Sequence, residues 1–83
     1  MSIAEMTARE ARSITPSRDL LTESFDYLIQ LGWRPQQSSR HDYGWGWWIH
    51  PLHETKNRPV GDAKQIHYAA WDTLKAYVLP ETN

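Results

Sequence analysis

The chain has no cysteine. That excludes a disulfide framework, a thiol nucleophile and any cysteine-ligated zinc site, and it suits a reducing cytoplasm. It also lacks an apolar run near the roughly 20 residues of a membrane span, and the N-terminus has no signal-peptide core. Charge of one sign is lacking as well. Nine Lys and Arg against ten Asp and Glu leave a formal net charge of −1, whereas a general nucleic-acid binder carries a strong positive excess. A soluble cytoplasmic protein without a membrane partner is expected. Catalytic signatures are missing too: there is no nucleophile elbow, phosphate-binding glycine loop or HExxH pattern. Ser38, Ser39, His41, Asp42 and Glu54 therefore read as loop formers, not as nucleophile, base and acid. Neither enzyme activity nor a cofactor is expected.

What is present is aromatic. The 83 residues make room for one domain and include five Trp, four Tyr and one Phe. A chain this short buries only about 60 to 65% of its unfolded surface. Large rings compensate, each removing about 150–250 Å² from water. The densest block is residues 43 to 50, Tyr43, Gly44, Trp45, Gly46, Trp47, Trp48, Ile49 and His50. As a strand of period two it places Tyr43, Trp45, Trp47 and Ile49 on one face and Gly44, Gly46, Trp48 and His50 on the other. The solidly apolar face is assigned to the core. Two strand glycines mark a bulge or the close approach of a ligand or another backbone, so Trp48 and His50, beside that gap, become the candidate contact residues.

The remaining elements follow from caps and periodicity. Residues 1 to 14 form a leader or a short helix, with Ser2 and Glu5 as a capping box and Ile3, Met6 and Ile14 as a thin apolar stripe. A helix starts near Pro16, with Thr15 or Ser17 as its cap, and runs to about Leu31. Leu21, Phe25, Leu28 and Ile29 form its stripe, and Asp19, Glu23 and Asp26 lie opposite. Gly32 suits a left-handed terminus that folds Trp33 back onto Leu28. Pro35 confines the next extended segment to a sheet edge. A short third strand is expected near residues 52 to 55, inside an exposed loop over 51 to 61. Asp62 and Gln65 then cap a last helix reaching about Leu79, whose core face carries Ala63, Ile66, Ala70, Leu74, Tyr77 and Val78. The expected fold is a small α+β domain over residues 15 to 80: helix, two- or three-stranded antiparallel sheet, helix, with a tail over 81 to 83.

Metal binding at His50 and His53 beside Glu54 is not expected, because Pro51 prevents a regular helix across the pair and no third ligand is defined. The basic residues gather around the aromatic strand instead. Trp48, His50, Arg34, Arg40, Tyr68, Lys56 and Arg58 are the expected partner-binding set, in keeping with the Trp, Tyr and Arg of interface centres. The partner expected is another protein, with self-association as a homodimer a variant. The role expected is that of a small accessory, adaptor or inhibitor; chains this short and free of catalytic motifs include phage- and mobile-element-encoded proteins. The alternative is a nucleic-acid module that stacks bases on Trp48 and neutralises phosphates with Arg and Lys.

Overall fold

In the computed structural model, which describes residues 3–37, 45–52 and 64–81, a 3₁₀ turn at Ile3–Glu5 leads into a short helix α1 at Ala8–Arg12. A capping box sits at Thr7 and Glu10, where the Thr7 hydroxyl accepts the Glu10 N–H at 3.1 Å and Glu10 accepts the Thr7 N–H at 3.2 Å; Ser2, of the expected Ser2/Glu5 box, lies outside the described residues. The same Thr/Ser-x-x-Glu spacing occurs at both Ser2/Glu5 and Thr7/Glu10. This segment docks. Ile3, Met6, Ala8 and Ala11 are buried, the Ala8 N–H donates to the Pro80 carbonyl at 2.7 Å, and Arg12 grips Glu81 with both guanidinium nitrogens.

Helix α2 spans Arg18–Gln30, and its N-cap Ser17 accepts the Leu20 N–H at 3.1 Å. Its end is a Schellman motif, as the glycine suggested: Gly32 has φ +94°, the Trp33 N–H donates to Leu28 and the Gly32 N–H to Ile29. Trp33 is thereby carried into the core. The chain then extends through β1 (Arg34–Gln37), which pairs antiparallel with β2 (Trp45–Ile49), and β2 pairs antiparallel with the two-residue β3 (Lys64–Gln65). The order β1-β2-β3 leaves β1, with Pro35, at an edge. A two-residue third strand thus lies at Lys64–Gln65, and of the strand expected over residues 52 to 55 only Leu52 is among the described residues. Leu52 lies in a turn, and residues 53 to 63 fall outside the described residues, as do Tyr43 and Gly44. Pairing with Trp45 and Gly46 takes Lys64 and Gln65 out of the expected helix, so α3 begins at Ile66 and runs to Thr73, with Gln65 as an N-cap that makes no side-chain cap bond. The expected Asp62 cap lies outside the described residues. A π-helical turn, Leu74–Val78, continues α3.

The face assignment of β2 is reversed. Trp48 is only 2% exposed, whereas Trp47 and Ile49 are half-buried on the other face. The physical reason is what the inner face offers: the Trp48 indole N–H donates to the Ile66 carbonyl at 3.0 Å, and its ring meets Phe25 edge-on at 4.9 Å. A buried indole needs such an acceptor. Gly46 serves the sheet itself, because a Cβ there would run into the Gln36 carbonyl oxygen. Helix α3 packs against both α2 and β2. Ala69, Ala70, Trp71, Thr73 and Leu74 are all buried, whereas His67 and Tyr68 are exposed, so it is the second half of α3 that forms a central element. Two buried hydroxyls are satisfied within their own helices, Ser24 by the Leu20 carbonyl and Thr73 by the Ala69 carbonyl.

Two measurements check this arrangement. Trp48→Ala should destabilise the domain by about 3–5 kcal/mol in urea denaturation, and Trp47→Ala by roughly half that or less; the opposite order would contradict the inward placement of Trp48. The second concerns α1. Arg12, by its hydrogen bonds and then by its charge, holds the Glu81 carboxyl below its ordinary value. The contribution of a depressed carboxyl is present above its unfolded pKa and lost as pH falls through the folded one. Acidification through the carboxylate range should therefore speed hydrogen exchange of the α1 amides, after correction for intrinsic rates. Glu81→Gln should remove that dependence, and a dependence unchanged in the variant would contradict the clamp.

Candidate functional site

The end of β2 and the end of α2 meet at one histidine. His50 Nδ1 accepts the Leu52 N–H at 3.0 Å, which leaves the ring proton on Nε2, facing the Leu31 carbonyl at 3.0 Å. That carbonyl is among those a helix leaves without an intrahelical partner. His50 thus ties the cap of α2 to the turn after β2. Gly32 makes this approach feasible, since a Cβ there would lie 3.2 Å from Nε2. Beneath the imidazole lies Trp33, edge-on at 5.3 Å, and Trp33 is in turn stacked on Tyr77 with centroids 6.1 Å apart.

Three exposed residues join this His50–Trp33 pair, Leu31 by its carbonyl, Leu52 by its N–H and Tyr77 by its ring. Leu52 is 88% exposed, Leu31 42% and Tyr77 50%. Each is presented by backbone geometry. Leu31 is the C-cap of α2, and Leu52 sits on the turn that His50 anchors. Tyr77 lies within the π turn, where the Leu79 N–H reaches back five residues to the Leu74 carbonyl. That widened turn departs from the regular spacing that put Tyr77 on the core face, and such turns recur at functional sites. Single exposed apolar residues are ordinary; three whose backbone or ring meets one His–Trp pair make this corner the candidate contact surface. Arg34 adds a cation beside them, its Nη1 donating to the Trp33 carbonyl at 3.1 Å.

Of the expected partner-binding residues, the four described ones, Arg34, Trp48, His50 and Tyr68, do not share one surface. Trp48 is withdrawn into the core, so it cannot present its ring to a partner. His50 has both nitrogens engaged and acts as a brace. Arg34 is exposed at the corner, while Tyr68, 44% exposed, lies at the other end of α2. Arg40, Lys56 and Arg58 lie outside the described residues, as do His53 and Glu54. Among the described residues no three His, Cys, Asp or Glu side chains gather as metal ligands, and no helix is long and apolar enough to cross a membrane. Sequence reasoning missed Leu31, Leu52 and Tyr77. Only Leu52, a lone large aliphatic in a polar loop, carried a signal.

Tyr68 borders an open groove of about 390 Å³ with Arg18, Leu21, Thr22, Gln65 and His67. A second groove of about 410 Å³, on the side of the N-terminal turn, is lined by Glu23, Asp26 and Tyr27 with Ile3, Ala4 and Gln30. The first carries cationic and neutral polar groups, the second carboxylates. A comparison with protein-family models, with curated proteins and with solved structures finds no match to this chain.

His50→Ala removes an acceptor from Leu52 and a donor from Leu31. It should destabilise by about 1–2 kcal/mol and accelerate exchange of the Leu52 amide ahead of the β2 amides. Unchanged protection at Leu52 would mean that the turn holds without the imidazole.

Proposed function

We propose that this chain is a non-enzymatic protein-binding domain, acting as an accessory, adaptor or inhibitor, and that the His50 corner is its contact surface. The observation that carries this reading is Leu52: an almost fully exposed leucine, held on a braced turn and flanked by exposed Leu31 and Tyr77. Holding an apolar side chain outward in a fixed geometry reduces the ordering entropy of association. Rigid aromatic and aliphatic anchors with an arginine at the margin are the composition of interface centres. The cysteine-free sequence suits a cytoplasmic partner. The nucleic-acid alternative drew on Trp48 as a stacking platform, and a buried indole cannot serve as one.

The test is affinity capture from source-cell lysate, with nuclease digestion, using the wild-type chain and Leu52→Asp in parallel. Leu52 is so exposed that the variant should fold normally. A discrete protein retained after nuclease, with affinity at least about tenfold lower for Leu52→Asp, is the expected result. Retention unaffected by the substitution would contradict the assigned surface. Recovery of nucleic acid, with co-captured proteins lost on digestion, would contradict the function.

A further inference from the structure

The groove at the start of α2 and α3 gathers a cation, polar donors and rings. Arg18 projects there with no hydrogen bond or ion pair to its guanidinium among the described residues, and no carboxylate belongs to the described lining. Gln65 brings an amide and Tyr68 a phenol, neither with a side-chain partner among the described residues. Thr22 donates its hydroxyl proton to the Arg18 carbonyl at 3.2 Å and so leaves an oxygen, not a donor, toward the groove. Rings supply the walls. His67 is stacked on Phe25 with centroids 4.9 Å apart and planes 26° from parallel, yet it remains exposed, as does Tyr68, and Leu21 adds an apolar side.

We propose that this groove binds an oxyanion carried on a planar ring, as in an aryl phosphate. The free guanidinium offers the bidentate fork that matches a phosphate edge. The Gln65 amide and the Tyr68 hydroxyl are further donors, and the rings of His67 and Tyr68, with Leu21, take the planar body by stacking and apolar contact. The volume is at the small end of ligand pockets, which suits a single ring with its anion. Bulk charge does not attract such a ligand, because the chain is net negative; local donors must. The site is independent of the His50 corner, since the thirteen residues of α2 separate them by about 20 Å.

The experiment is an amide-resolved NMR titration of the full chain with phenyl phosphate and, in parallel, inorganic phosphate. Phenyl phosphate should give saturable shifts confined to the start of α2 and to residues 65 to 68, with an affinity at least about tenfold above that of inorganic phosphate. Arg18→Gln, at an exposed position whose guanidinium has no described partner, should keep the native spectrum and weaken binding roughly tenfold or more. Equal affinity for the two probes would overturn the ring component, and undiminished binding by Arg18→Gln, shifts centred elsewhere, or no saturation at millimolar concentration would overturn the site. The same chemistry occurs in a free aryl phosphate and in a phosphotyrosine side chain. A third titration with N-acetyl-phosphotyrosine amide separates them: binding as tight as phenyl phosphate supports a side-chain source, and exclusion of the amide supports a free small molecule.

Discussion

The Trp48 indole holds three elements together. Its backbone belongs to the middle strand, its ring edge meets Phe25 of α2, and its N–H reaches the first residue of α3. An indole buried without an acceptor would cost about 1–3 kcal/mol of desolvation, so the position of Ile66 relative to β2 is set by a directional bond as well as by packing. The location of α3 then decides most of the rest. With α2 against one side, β2 against another and the N-terminal segment closing over the π-helical continuation, α3 becomes the axis of the domain. Small side chains at Ser24, Ala69 and Ala70 allow that close enclosure.

Much of the local structure was legible in the residues. The α2 stripe, its Ser17 cap and the Gly32–Trp33 terminus rest on i, i+4 periodicity and on a glycine in a left-handed conformation, both local effects. Pro35 at a sheet edge is local too. What could not be read was any choice between competing partners. The Thr7/Glu10 capping box belongs to an N-terminal segment whose Ile3 and Met6 are buried, a docking that the thin apolar stripe left open. Lys64 and Gln65 had helical company in sequence, yet pairing with β2 claims them. The strand faces were the largest reversal. Counting large apolar residues favoured the Trp47 face, while the bare face proved to be the one that admits helices and provides an acceptor for an indole.

The candidate site was less legible than the fold, for the same reason. Arg34 and Tyr68 are exposed as expected, but nothing in a linear pattern places one at each end of α2. Leu31, Leu52 and Tyr77 become a patch through a helix cap, a histidine-braced turn and a π turn, and the last two of these are tertiary or irregular features without a clear sequence signature. His50 illustrates the difference between a residue's chemistry and its use. Its imidazole suggested contact or metal ligation, and both of its nitrogens instead close the corner that displays its neighbours.

The surface of the domain depends on which way β2 faces, so the most direct measurement is indole N–H hydrogen exchange, resolved for the individual tryptophans by ¹⁵N NMR. If Trp48 lies inward and bonded to Ile66, its indole proton should exchange only with global unfolding, as slowly as the best-protected core amides. An indole at Trp48 that exchanges at nearly the rate of an unstructured peptide would contradict the inward placement and return that ring to the surface.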